Sequence, residues 1–327
     1  MKNPTPTRRQ FIKETLLAGA GALLATRAWA IPSNQTPGAK AVRFGIISDL
    51  HHQQFGDKDN QLPRLKAFLG AALKVSPDFI IQNGDFCNRP KAVPDLMAEW
   101  NRFPGPKYHV LGNHDMDLCD KAAIMKLWGL ERPYYSFDQG GYHFIVLDRN
   151  FIHHDDGTFT DYATGNWYKS PGAQISFTDS AQLAWLRKDL AAAKTPVVVF
   201  MHQPVFVTDF FNDIGNAKEI LAVFDEANYA ATKTGTNSRV IAVFMGHDHD
   251  DRHGERNGVH YITINSATYA YQDGAFFYQD PLFAFVTLDP AGRLAIEGRS
   301  TTYRDGTPDS IKAVFPAKIS NREFQMQ

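Results

Sequence analysis

Short apolar runs that end abruptly in polar residues alternate along this chain with segments of helical spacing. Val42-Arg43-Phe44-Gly45-Ile46-Ile47-Ser48 reads as a buried strand ending at Asp49. Phe79-Ile80-Ile81-Gln82-Asn83 reads as a second, leading into Gly84-Asp85, and Tyr108-His109-Val110-Leu111 as a third, leading into Gly112-Asn113. Between the first two, Leu65, Phe68, Leu69, Ala72 and Leu73 recur at the spacing that puts apolar side chains on one helix face, which predicts a helix from Leu62 to Lys74. A further helix is expected from Ala92 to Phe103. Strand–helix alternation of this kind points to an α/β sheet.

The pattern continues downstream. Tyr134 to Phe137 and His143 to Leu147 flank Gln139-Gly140-Gly141, a hairpin signal. Residues 150–178 form a long polar and aromatic stretch, of the kind that in a compact domain serves function or is disordered. Ser180 is expected to cap a helix running to Lys194, with Leu183, Leu186 and Leu190 on one face. Val197 to Met201 reads as a strand ending at His202, Ala217 to Tyr229 as a helix, and Val240 to Met245 as a strand ending at Gly246-His247. Tyr261 to Asn265, Leu282 to Leu288 and Leu294 to Gly298 look like a closing antiparallel set. Beyond Arg304 no pattern is legible. The expected organisation is therefore an N-terminal segment over 1–30, a polar linker over 31–40, a folded domain over 41–304 and a tail over 305–327.

Composition narrows this little: 43% hydrophobic and 21% charged residues suit an ordinary globular core. Charge is more informative. Lys2, Arg8, Arg9, Lys13 and Arg27 stand against Glu14 alone in the first thirty residues, so the rest carries 29 basic and 34 acidic residues. Nothing there predicts a nucleic-acid-binding face. At the N-terminus, Thr7-Arg8-Arg9-Gln10-Phe11-Ile12-Lys13 precedes a weakly apolar run from Leu16 to Ala25, and Ala28-Trp29-Ala30 offers a small-x-small cleavage site. That is the order of a signal peptide, and the run is too short for a stable membrane anchor. With Phe and Lys following the paired arginines, it resembles a twin-arginine signal. That resemblance implies export of a folded, periplasmic or secreted protein by the twin-arginine machinery, with cleavage after Ala30.

Chemistry concentrates at the strand ends. Asp49-Leu50-His51, Gly84-Asp85, Gly112-Asn113-His114-Asp115, His202 and Gly246-His247-Asp248-His249 supply carboxylate, amide and imidazole donors. These suit hard or borderline divalent ions such as Mn, Fe and Zn. The alternation of Asp49 with His51, and of His247 with His249, lets both members of a pair turn to one ion. Asp85 has two oxygens with which to bridge a pair of ions. Open α/β sheets place their sites at the carboxyl ends of strands.

This set of motifs, in this order, resembles the calcineurin-like metallophosphoesterase superfamily across about residues 43–265. The resemblance implies an α/β fold, specifically a four-layer α/β/β/α sandwich of two mixed sheets. It implies two divalent metal ions: Asp49, His51 and His249 on the first, Asn113, His202 and His247 on the second, and Asp85 bridging both. It further implies hydrolysis of small phosphate esters by a metal-bridging hydroxide, with His114 as general acid oriented by Asp115. Alternatives are a cyclic-nucleotide phosphodiesterase and a non-enzymatic metal- or phosphate-binding scaffold. Arg149, just past a strand, is read either as a substrate-phosphate contact or as a surface ion pair. The aromatics Phe151, Phe159, Tyr162, Trp167 and Tyr168, Phe206, Phe210 and Phe211, and Tyr269, Tyr271, Phe276, Phe277 and Tyr278 either rim the metals or pack loops onto the domain. Cys87 and Cys119 each follow a metal motif and are either paired or free.

Overall fold

The computed structural model describes residues 40–326 apart from 171–173 and 207–213. The expected targeting segment and nearly all of the linker lie outside these described residues. All elements below belong to one unit, Thr36–Gln327. Its strands are β1 (Val42–Ile47), β2 (Phe79–Asn83), β3 (Lys107–Val110), β4 (Tyr135–Gln139), β5 (Tyr142–Val146), β6 (Phe151–His153), β7 (Phe159–Asp161), β8 (Val197–Phe200), β9 (Val240–Met245), β10 (Arg252–Arg256), β11 (Val259–Thr263), β12 (Tyr269–Tyr271), β13 (Ala275–Phe277), β14 (Ala284–Asp289), β15 (Arg293–Gly298) and β16 (Arg322–Gln325). The α-helices are α1 (Leu62–Val75), α2 (Val93–Trp100), α3 (Lys121–Trp128), α4 (Ser180–Ala192), α5 (Ala217–Thr234) and α6 (Asp309–Val314).

Two six-stranded mixed sheets, ordered β16-β15-β14-β1-β2-β3 and β10-β11-β9-β8-β5-β4, pack face to face. Period-two alternation explains the layers. Phe44, Ile46, Phe79 and Ile81 meet Phe144, Val198, Phe200 and Phe244 between the sheets, and the Phe44 ring stacks on Phe79 at 5.0 Å. The opposite faces, with Ile47 and Ile80 on one sheet and Val197, Val199 and Val243 on the other, are covered by α1–α3 and by α4–α5 respectively. Strands buried on both faces read as continuous apolar runs, which is why they were legible. The result is the expected α/β/β/α sandwich. Each fully buried Leu or Phe of the helix faces, such as Phe68 and Phe224, contributes about 1.5–3 kcal/mol.

The parallel register builds the site. Ile47 lies opposite Gln82 and Asn83 opposite Val110, while Val146, Phe200 and Phe244 align in the second sheet. The carboxyl ends of these six strands therefore converge on one edge of the sandwich.

Some expectations are corrected. Asp179, not Ser180, caps α4, its carboxylate accepting from the Gln182 amide at 2.8 Å. The tail is not separate: β16 pairs antiparallel with β15, and Phe324 stacks on His253 and His260 at 4.3 and 4.5 Å. One apolar side chain in a polar four-residue strand gives no readable alternation; distant partners specify it. The 150–178 stretch holds β6, β7 and a 3₁₀ turn. The buried Lys121 ammonium ties its base together, donating to Asp148 and Asp161 at 2.6 Å each.

His143 on β5 joins this sheet to α4. Its ring nitrogens meet Asp138 at 2.7 Å and Asp189 at 2.8 Å. The Asp189 hydrogen bond is foremost in raising its pKa above the ordinary 6.5. A group raised in the folded state stabilises it below the unfolded pKa, and that stability is lost as pH climbs through the folded value. His143→Gln should therefore cost about 1–2 kcal/mol near pH 5.5 and less near pH 9. Urea midpoints of both proteins at the two pH values check this; a deficit that is flat or grows with pH contradicts it.

Candidate metal centre

The seven expected ligands all sit just past strands, five of them in turns that ordinary residues resist. Asp49, His51, Asp85, His247 and His249 have φ of 53°, 50°, 51°, 69° and 50°. Non-glycine residues seldom enter this left-handed region, and strain there is of order 1–3 kcal/mol each. Backbone hydrogen bonds enforce it: the Asp49 amide donates to Gly84 O at 3.0 Å and the His51 amide to Asp85 O at 2.8 Å. Two glycines serve close approach. A Cβ at Gly112 would collide with the Asp85 amide nitrogen, and one at Gly246 with the Ser48 hydroxyl.

Asp49, His51 and His249 form one group whose donor atoms lie within 4.8 Å of one another; Asp85, His202 and His247 form a second. Asp85 Oδ2 stands 3.0 Å from His202 Nε2 and 3.6 Å from His51 Nε2, so this carboxylate reaches into both groups. The Asn113 amide is buried, and neither its Oδ1 nor its Nδ2 has a hydrogen-bond partner. Tautomers follow from the surroundings. His202 Nδ1 faces Asn83 O at 2.9 Å and His249 Nδ1 faces Tyr269 O at 3.0 Å. His51 Nδ1 faces Gln54 Oε1 at 3.2 Å. In a neutral ring, as for His51 and His249, the nitrogen against a carbonyl acceptor carries the proton and leaves Nε2 as a lone pair. At His202 burial is outweighed by Asp85 and Asp49, which push it up to about 10. Yet His51 Nε2 and His249 Nε2 are 2.9 Å apart. Two lone pairs at that distance need a shared proton or a cation between them. With two carboxylates and an orphaned amide beside them, these donors fit divalent ions.

Burial pushes the His51 imidazole down to about 3, which keeps it a neutral donor. Burial would raise Asp49 and Asp85, but the surrounding imidazoles, His202 foremost, hold both below the ordinary carboxylate range.

The acid–base pair differs from expectation. Asp115 does not meet the His114 ring. It is fully buried and accepts the amides of Gly112 and Phe86 at 2.8 Å, Cys87 at 3.0 Å and Asp85 at 3.1 Å, clamping two ligand-bearing turns together. The ring is held by Asp117: Nδ1 lies 2.9 Å from Asp117 Oδ2, and the Tyr168 hydroxyl lies 2.9 Å from the same nitrogen. Asn88 donates to that Asp117 oxygen at 2.8 Å. A 3₁₀ turn, Asn113–Met116, brings position i+3 back under the imidazole; the acidic residue at that spacing was the available signal. Arg149 is corrected too. It is neither a surface residue nor a cleft residue; its buried guanidinium donates to the carbonyls of Gln203, Pro204 and Ile214, bracing the turn after His202.

Over the donors opens a cleft of about 320 Å³ lined by aromatics: Phe55, Trp167, Tyr168, Tyr269 and Tyr271, with His114 among them. Phe55 was not anticipated. Of the others weighed as rim residues, Phe151, Tyr162 and Tyr278 are buried and Phe206 packs on Tyr261. Phe159 packs on Phe177 and His153, and Phe277 stands behind Tyr269. Phe210 and Phe211 lie outside the described residues. Cys87 and Cys119 are free thiols, donating to Arg89 O and Asp115 O.

A two-sheet sandwich with two candidate metal groups at the strand ends of both sheets defines a metal-dependent hydrolase. The profile of the calcineurin-like phosphoesterase family matches residues 42–251, and the chain belongs to that family. A manganese-dependent ADP-ribose/CDP-alcohol diphosphatase of Oryza sativa subsp. japonica is 25% identical over 285 residues, covering 68% of this chain and 83% of that protein. A 3′,5′-cyclic-nucleotide phosphodiesterase of Nostoc sp. is 26% identical, covering 72% and 76%. The fold is also that of a dimetal phosphatase from Danio rerio, with a TM-score of 0.60 at 17% identity, covering 88% of this chain and all (100%) of that one.

Proposed function

We propose that this chain hydrolyses small-molecule phosphate esters at a dinuclear centre of Mn, Fe or Zn. Asp49, His51 and His249 would hold one ion, Asn113, His202 and His247 the other, with Asp85 shared. The facing lone pairs of His51 and His249, 2.9 Å apart beneath the cleft, carry this reading. When bound, such ions supply the positive charge that polarises a phosphoryl group and acidifies water. His114 does the proton work. Burial would lower its pKa, but Asp85 and Asp117 outweigh that and raise it. That shift increases the share of the imidazolium form, which a proton donor needs. With Nδ1 held by Asp117, Nε2 is the nitrogen that exchanges its proton with the leaving oxygen.

The Nostoc relative favours a second reading, a cyclic-nucleotide phosphodiesterase. One panel separates them: purified protein with Mn, Fe or Zn against 4-nitrophenyl phosphate, its bis ester and 3′,5′-cyclic nucleotides. Turnover confined to cyclic nucleotides selects the second reading, and no turnover with any metal selects a binding scaffold.

The same reading places the protein in the periplasm or outside the cell, exported through Arg8-Arg9. Among the described residues no helix is long and apolar enough to cross a membrane. Replacing Arg8 and Arg9 with Lys should leave an uncleaved precursor in the cytoplasm, seen by fractionation and N-terminal mass; a mature exported product would show the pair to be incidental.

A further inference from the structure

We infer that the cleft selects singly charged phosphodiesters carrying a flat aromatic substituent over doubly charged phosphomonoesters. The inference rests on the proposed hydrolase reading and narrows it. The first observation is a missing charge. Among the described residues lining the cleft there is no lysine or arginine. Its carboxylates are Asp85 and Asp248, the latter 3.6 Å from Arg252 Nη1 behind it, and its one group that can turn cationic beside the ligand histidines is His114, reserved for the leaving oxygen. The buried arginines Arg149 and Arg64 donate to backbone carbonyls, and Arg252 is paired with Asp250 at 2.9 Å. Sites that take terminal phosphates commonly surround the extra oxygens with arginine or lysine. A diester has one ionised oxygen to satisfy; a monoester brings a second charge for which the described lining offers no lysine or arginine.

The second observation is what replaces that charge. Phe55, Tyr168 and Tyr271 are 56%, 57% and 52% exposed, and all three line this cleft. Single exposed aromatics are ordinary, but several gathered around one cleft mark a binding face. They are backed rigidly. Trp167 stacks on Tyr168 at 3.7 Å, and Phe55 leans on Tyr269 and Phe277 at 5.8 and 6.0 Å. Aromatic walls on rigid supports suit a planar ring, and base–aromatic stacking is worth about 1–3 kcal/mol by alanine substitution.

The test uses the full mature chain. With Mn, kcat/KM for bis(4-nitrophenyl) phosphate should exceed that for 4-nitrophenyl phosphate at least tenfold. Phe55→Ala and Tyr271→Ala should each raise KM for the diester about 5- to 100-fold with kcat nearly unchanged. Tyr271→Arg should narrow the gap by improving the monoester. Calorimetric titration of the metal-free protein gives a readout apart from turnover: diphenyl phosphate should bind at least tenfold tighter than phenyl phosphate, and Phe55→Ala should erase that margin. A monoester turned over as well as the diester, or phenyl phosphate bound as tightly, overturns the inference and leaves the hydrolase reading standing. No turnover of either ester with any metal removes the hydrolase reading itself, and the inference with it.

Discussion

Replacing His114 with alanine should lower kcat by about 10²–10⁴-fold for esters of simple alcohols, with metal content unchanged. The metal is spared because only the backbone of His114 serves the centre: its amide donates to Asp85 Oδ1 at 2.8 Å, and alanine keeps that bond. The side chain handles the proton. An alkoxide leaves poorly without one, whereas nitrophenolate departs nearly unaided, so the deficit should shrink for 4-nitrophenyl esters. Equal deficits for both would show that His114 binds rather than protonates. Asp117→Asn is the graded companion. It leaves the imidazole in place and removes one of the carboxylates that raise its pKa. An acid that titrates lower is lost earlier as pH rises, so the alkaline fall of the kcat profile should move to lower pH. An unmoved limb would detach Asp117 from the proton transfer.

Those two residues mark where the sequence stops being readable. The metal donors are legible because each follows an apolar run, and parallel strands in register carry their next residues to one edge. Asp49, Asp85 and Asn113 come together by strand length alone. Which acidic residue meets His114 depends on a local winding. In an extended loop Asp115 is the neighbour; in the observed 3₁₀ turn Asp117 is, and Asp115 turns inward to four amides. Arg149 misled for a related reason. A charged residue after a strand is ordinarily solvated, and no pattern announces that three carbonyls from the turns after His202 will surround it. Likewise Tyr162 and Tyr168 belong to one aromatic stretch, yet one is buried and the other 57% exposed over the donors. β16 joins its sheet through partners far away in sequence. In each case the outcome is fixed by groups that spacing does not connect.

Asp85→Asn should have the largest effect: loss of metal from both groups and a fall in kcat/KM of at least about 10³-fold. The amide is nearly isosteric, and its oxygen can still accept from the His114 amide, so the fold should persist. What disappears is charge at the carboxylate set most evenly between the groups, 3.0 Å from His202 Nε2 and 3.6 Å from His51 Nε2. A neutral amide oxygen is a weaker donor than a carboxylate and lacks the second oxygen with which to bridge. Asp49→Asn is the control, since Asp49 sits closest to the first group, 3.3 Å from His249 Nε2, and should forfeit one ion rather than two. Thermal melts with and without Mn read the same question without turnover. Saturation at a hundred times the dissociation constant stabilises by about 2.7 kcal/mol per site, so the native chain should gain about twice that. Asp85→Asn should gain almost nothing, and Asp49→Asn about half. Two full equivalents of metal in purified Asp85→Asn would dismantle the shared-ligand arrangement, because then neither group leans on the carboxylate between them.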